Sequence, residues 1–319
     1  MQNKNSKINN KCALVYGGVV LDTLFDLNGN IHDQILIKND KIGKQNLMFN
    51  AKEKQVYYGG TAGNIAYGLG LLGEKALLAS IAGRDFSDYA KHIKHNGIEN
   101  RIYIDENGYT ATFYGMTDAN KEQIGVFQGN SYYTHANSIP LARLLKQDDW
   151  AKIKIAIFSP GTAESITRNI KEFRTNVKDN AVVILDPGQM LAIDFTPRLI
   201  EQAIKNSDML ILNENEDHYL KTHLKITNEK MWNLGLKYYI VTLAEKGSVL
   251  HTRESSEKIP AQKVKKVIDP TGAGDAYRAG LIYGLIAEMP LLKSMALGAK
   301  MGARAITQKG GQTYRILSK

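Results

Sequence analysis

The chain has 319 residues, with 41 lysines and arginines against 32 aspartates and glutamates for a formal charge of +9; hydrophobic residues make up 43% and charged residues 23%. These values exclude a disordered or fibrous chain and leave room for one large α/β domain or two ordinary ones. A single cysteine, Cys12, excludes an internal disulfide framework and suits a reducing, cytoplasmic setting, while no apolar run approaches the roughly 20 residues of a membrane-spanning helix.

Residues 1–11 carry Lys4, Lys7 and Lys11 without an acid and read as a disordered basic tail; they lack the apolar stretch of a signal peptide. Residues 12–18 read as a short buried strand ending in glycines. Residues 31–37 and 47–58 look extended around a turn at Gly43. A helix is expected over 61–72, a strand over 75–82, a helix over 86–95, and strands over 101–104, 110–117 and 122–127. After a polar, tyrosine-rich stretch (128–137), apolar runs of buried-strand length recur at 153–159, 181–186, 208–213 and 236–243. Helix-compatible stretches separate them at 162–178, 196–206 and 215–235, and another follows at 276–287. Strands apolar on both faces that alternate with helices imply a parallel sheet covered on both sides. Ligands of such sheets bind beyond the carboxyl ends of the strands. The turns to watch are therefore 159–161, 186–188, 213–216 and 242–247. The C-terminal cations Lys300, Arg304, Lys309, Arg315 and Lys319 suit a small polyanion; elsewhere acids and bases nearly balance, so no nucleic-acid face is expected.

The strongest chemical signal is VIDPTGAGDAYRAG at 267–280. It puts Gly272, Ala273 and Gly274 at a helix start, where free backbone N–H groups and the helix dipole attract an anion. Asp275 stands at the same place. A carboxylate beside an anion site makes sense when a hydroxyl proton must be removed while a phosphoryl group is held. Four further pieces fit that reading. In YGGTAGNIAYGL (58–69), paired glycines precede a helix whose first turn carries Asn64, an amide suited to vicinal hydroxyls. Asp22, after the first strand, would complement it. Asn213 and Glu216 form an NxxE pair at a strand end, suited to a water-mediated magnesium ion. The turn Thr242-Leu243-Ala244-Glu245-Lys246-Gly247 suits a nucleotide phosphate.

Together these residues resemble the PfkB/ribokinase family of small-molecule kinases. Residues 59–64 match its N-terminal signature and residues 269–275 its C-terminal one, in order, within a likeness running from Ala13 to Thr313. The resemblance implies one ribokinase-like domain over 12–319: a three-layer α/β/α fold with a mostly parallel sheet and a small β lid from the insertion at 30–58. By the same resemblance Asp275 is the general base, and Gly272, Ala273 and Gly274 form the anion hole. Asp22, Gly59, Gly60 and Asn64 hold the substrate. Asn213, Thr242, Ala244, Lys246 and Gly247 lie along ATP, with Gly272 and Gly274 at its phosphates. Glu216 serves magnesium through water. Asp269 and Thr271 match positions near which some members bind a monovalent cation such as K+.

Three features look like nucleoside kinases within that family: the 58–73 segment, Glu122-Gln123-Ile124 leading into Phe127, and Gly310-Gly311-Gln312. Thr61 stands where sugar-specific ribokinases usually carry lysine. Ala244 departs from a glycine common in the ATP turn, residues 298–300 lack an asparagine often beside adenine, and 129–131 lack a methionine-containing stretch. The expectation is an ATP- and Mg2+-dependent kinase of a ribonucleoside 5′-hydroxyl, adenosine first. A free-sugar kinase and a non-catalytic nucleotide or sugar sensor are the alternatives, and a homodimer through lid strands is open. The literal GxGxxG at 68–73 ends a helix instead of opening one, so helix packing and a helix stop explain it better than dinucleotide binding. His92 and His95 read as solvated helix residues, Cys12 as core, and Asp186 equally as a turn residue or a neighbour of the phosphates.

Overall fold

A computed structural model describes residues 11–35, 37–38, 41–42, 47–177 and 181–316; most of the expected basic tail lies outside them. In chain order the elements are β1 (Cys12–Tyr16), β2 (Val20–Leu27), β3 (Ile37–Lys38), β4 (Lys41–Ile42), β5 (Ala51–Gly59), α1 (Thr61–Leu71), β6 (Ala76–Gly83), α2 (Ser87–His95), β7 (Glu99–Asp105), β8 (Ala111–Thr117), β9 (Gln123–Gln128), α3 (Asn130–His135), α4 (Leu141–Leu144), β10 (Ile153–Phe158), α5 (Ala163–Val177), β11 (Val182–Leu185), α6 (Met190–Ile193), α7 (Pro197–Lys205), β12 (Met209–Asn213), α8 (Glu214–Thr222), α9 (Asn228–Asn233), β13 (Tyr238–Thr242), β14 (Ser248–His251), β15 (Ser256–Ile259), α10 (Ala273–Ile286) and α11 (Leu291–Ala305).

Among the described residues a nine-stranded sheet runs β15-β14-β13-β12-β11-β10-β1-β6-β7, parallel throughout except for the antiparallel edge β14 and β15. The apolar run of β1 shows why both faces are covered. Leu14 and Tyr16 enter a core with Phe158 and with Ile166, Phe173 and Ile200 of α5 and α7. Ala13 and Val15 enter the opposite core with Ile65, Leu69, Tyr89 and Leu281 of α1, α2 and α10. Each of the larger apolar side chains among them contributes about 1.5–3 kcal/mol by leaving water. The expected three-layer α/β/α arrangement is the observed one.

A second sheet, β5-β2-β8-β9, stands apart from the first. It draws only β5 from the 30–58 segment; β2 pairs in parallel with β8, which comes from a separate excursion much later in the chain. Local patterning cannot reveal such a pairing. The 215–235 stretch is two helices, because Lys225 takes a positive φ and Thr227 caps a new start by accepting from Lys230 N. Short α3 arises within the tyrosine-rich stretch because Tyr132 is buried. The glycines of 68–73 act as expected: a Cβ on Gly68 would come within 2.6 Å of Ala279 on α10, and Gly73, at φ +78, follows the end of α1. His92 departs from expectation, since its ring stacks on Tyr67, lies tilted against Tyr58 and is not freely solvated. Cys12 is buried in the core, and that burial pushes its thiol up to about 12. No helix among the described residues is long and apolar enough to cross a membrane.

Candidate active site

Two glycine-led helix starts face one another. Gly60 and Gly272 are the N-caps of α1 and α10 at φ +82 and +77, left-handed values that any side chain would strain. Crowding would add to that at Gly272, where a Cβ would meet Gly311 Cα at 2.9 Å. Of the amides at the start of α10, that of Ala273 turns back to Pro270 O at 3.2 Å. Asp275 lies in the first turn of α10, and Asn64 Nδ2 donates to its Oδ2 at 2.8 Å. Residues far apart in sequence thus meet at one pair of side chains. Asp22 joins them from β2: a Cβ on Gly59 would lie 2.2 Å from Asp22 Oδ2, so glycine there keeps the carboxylate's place open.

Burial sets the electrostatics of these acids. It raises Asp22 to about 7, helped by the negative charges of Asp275 and Asp269. It raises Asp275 to about 6, opposed by the Asn64 hydrogen bond and by Arg278 and reinforced by Asp186. Arg278 and Asp186 form a buried ion pair, with Arg278 Nη2 donating to Asp186 Oδ1 at 2.6 Å and Nη1 to Gly274 O at 3.0 Å. Burial alone would push Arg278 towards neutrality, and Asp186 more than reverses this. Asp186 is thereby tied to α10 and acts on Asp275, and is not merely a turn residue beside Pro187. Arg278 escaped the sequence reading; its one signal was a guanidinium in an otherwise apolar helix, AYRAGLIYGLI.

Asn213 and Glu216 form a reciprocal capping box at the start of α8, each accepting from the other's backbone N–H at 2.9 Å. Burial and Asp186 raise Glu216. Pairing of β12 with β13 sets Asn213 opposite Thr242, which brings the 242–247 turn alongside. In that turn Ala244 takes φ +47, and Gly247, at φ +95, passes so close to Ile259 O that a Cβ would lie 2.1 Å away. Lys246 is exposed and reaches Glu214 at 3.5 Å. Asp269 accepts from Thr271 N at 2.9 Å and from Gly310 N at 2.8 Å. Burial opposes its charge, but these N–H groups hold its pKa below the usual carboxylate range. It thereby ties the segment before α10 to the C-terminal loop. Gln312, which donates to both Asn64 and Tyr89, and Tyr89 itself had no signal as site residues beyond the Gly310-Gly311-Gln312 run.

A parallel sheet in three layers, a separate small sheet, and a carboxylate at a glycine-led helix start define a ribokinase-like kinase. The chain belongs to the pfkB family of carbohydrate kinases, whose pattern matches residues 28–316. It is 28% identical over 283 residues to a nucleoside kinase of Methanocaldococcus jannaschii, covering 86% of this chain and 87% of that protein. The crystal structure of the nucleoside kinase from that organism superposes with a TM-score of 0.82 at 27% identity, covering 96% and 94% of the two chains. A Burkholderia thailandensis nucleoside kinase in complex with inosine gives 0.76 at 27% identity, covering 95% and 93%. A fructokinase of Solanum tuberosum is 26% identical over 274 residues, covering 79% of this chain and 81% of that one. The enzyme class is thus shared among relatives whose acceptors differ.

Proposed function

We propose that the chain transfers the γ-phosphoryl group of ATP to the 5′-hydroxyl of a ribonucleoside, with adenosine as the first acceptor. The observation that carries this reading is the contact of Asn64 with Asp275, with Asp22 beside them. It sets a carboxylate of raised pKa next to groups suited to ribose hydroxyls. Asp275 takes the hydroxyl proton, the oxygen bonds to the γ-phosphorus, and the bond from that phosphorus to the β,γ-bridging oxygen breaks. At the Gly272-Ala273-Gly274 helix start the amides of Gly272 and Gly274 meet the charge on the transferred group, and that of Ala273 joins them on leaving Pro270 O. Asp22, Gly59, Gly60 and Asn64 hold the ribose, and Asn213, Thr242, Ala244, Lys246 and Gly247 run along the nucleotide.

The preference for a nucleoside over a free sugar rests on the small sheet. Asp22 pairs with Phe113, and Phe113 with Phe127, so these three side chains leave one face of the sheet. Phe127 is 50% exposed and meets the edge of Tyr133. A ribose held at Asp22 would carry its base towards these rings, which a free sugar would leave in water. The inosine bound to the Burkholderia relative supports the same acceptor class.

Among the described residues no three His, Cys, Asp or Glu side chains form a metal cage. Magnesium, which when bound neutralises phosphate charge, would therefore draw its ligands mainly from nucleotide phosphates and water. Glu216 Oε2 is taken by Asn213 N, which leaves Oε1 for a water-mediated contact. A monovalent cation at Asp269 and Thr271 belongs to the same proposal and is read by comparing rates in K+ and Li+ salts. So do a cytoplasmic setting and a homodimer. For the latter, the other face of the small sheet bears the exposed row Val56, Tyr114 and Val126, and sedimentation tests it.

The deciding experiment compares kcat/KM for adenosine, inosine, cytidine and ribose with ATP. Adenosine should lead, and ribose winning would overturn the nucleoside reading. Asp275→Asn should abolish turnover while nucleoside binding persists by calorimetry; near-normal kcat removes Asp275 from its role. ATP consumption with any of these acceptors eliminates a non-catalytic sensor.

A further inference from the structure

A buried polar chain reaches Asn64 and Asp275 from Gln312 and Tyr89, two residues with no direct part in phosphoryl transfer. Gln312, 5% exposed, comes from the C-terminal loop. Its Nε2 donates to Asn64 Oδ1 at 3.1 Å and also to Tyr89 OH. Tyr89 OH in turn donates to Gly59 O at 2.6 Å, and Asn64 Nδ2 donates to Asp275. Two glycines make room for this chain. A Cβ on Gly63 would stand 2.0 Å from Tyr89 OH, and one on Gly311 would stand 2.7 Å from the Asn64 amide.

We infer that Gln312 is a positioning residue of the phosphoryl-transfer reaction: it decides which end of the Asn64 amide faces Asp275, and through Tyr89 it is tied to the carbonyl of Gly59. The inference rests on Asp275 being the base. An amide's two ends are nearly equal in size, so a half-turn swaps donor for acceptor at little steric cost. With Oδ1 engaged by Gln312, Asn64 must offer its N–H to the carboxylate, which favours the ionised form a base requires. Without that donor, Asn64 is free to present its oxygen, which opposes ionisation.

The other groups facing Asp275 do not depend on Gln312 for their charge. Arg278 on α10 favours the carboxylate, and Asp186 after β11 opposes it. Asp22 on β2, Tyr89 on α2 and Tyr314 in the C-terminal loop also feel its charge, and Asp269 acts on Asp22. On the far side, the ring of His92 faces Gln312, and burial lowers its pKa, so it presents a neutral neighbour. Gln312 turns Oε1 to that side, where it opposes the lowering of His92, and this leaves its Nε2 for Asn64 and Tyr89.

Gln312→Met keeps the volume and removes the donor. The acid limb of its kcat/KM profile should move up by about one pH unit, so that the loss against the parent is larger at pH 6 than at pH 8. In an Asn64→Ala background the same change should produce no further shift, because the effect passes through Asn64. An unmoved limb, or an equal shift in the Asn64→Ala background, overturns the inference. If Gln312→Met fails to fold, Gln312→Glu serves. It removes the donor and adds a negative charge, so its limb should move further in the same direction, and an unmoved limb again overturns the inference. An Asp275→Asn protein that still turns over sinks the base itself. An inactive Asp275→Asn together with an unmoved Gln312→Met limb sinks only the positioning role.

Discussion

Asp275→Asn should make the protein more stable at neutral pH as well as inactive. Burial raises the carboxyl from 3.8 to about 6, so the folded state holds its proton more tightly than the unfolded chain does. Ionised Asp275 therefore costs stability at pH 7.5. The cost starts to fall as pH drops through about 6 and is gone below the unfolded pKa. The full shift corresponds to about 3 kcal/mol. Because the residue is only partly buried, water screening reduces the expected gain to about 1–2 kcal/mol. Asparagine still accepts the Asn64 N–H and carries no charge to bury. Removing that charge also relieves Asp22, whose raised pKa owes part of its rise to Asp275. The assay is urea unfolding of both proteins at pH 7.5, 5.5 and 4, extrapolated to water. The variant should lead at pH 7.5, lead by less at 5.5, and lose its advantage at 4. A variant no more stable than the parent at pH 7.5, or a difference that ignores pH, would refute the reasoning.

Arg278→Met leaves Asp186 charged and buried without its partner, and should cost about 3–5 kcal/mol in urea unfolding; adding Asp186→Asn should recover most of it. Ala244→Gly should stabilise by about 0.5–1 kcal/mol, visible as a higher Tm, because Ala244 holds a left-handed φ of +47. Phe127→Ala should raise KM for a nucleoside about three- to tenfold, as expected for losing a base-stacking partner, and leave ribose kinetics unmoved. Equal effects on both acceptors would remove Phe127 from base recognition.

The parts of the site made of backbone were legible in the sequence. A helix start led by a left-handed residue calls for glycine, and the run Gly272-Ala273-Gly274 supplies it at Gly272, so that turn and its sequence are local to one another. The same holds for Gly59-Gly60 and for the two-faced apolar strands that dictate a covered parallel sheet. Even the departure at Ala244, noted as an alanine where glycine is common, became a positive φ. The parts made of side-chain pairs were not legible. Arg278 finds Asp186 across 92 positions, Gln312 finds Asn64 across 248, and β2 lies in parallel beside β8. A buried amide, guanidinium or carboxylate says only that some partner must exist, since an unpaired one is costly. Which partner it is depends on how helices and sheets pack over long chain separations, and that choice is made only when the chain is folded.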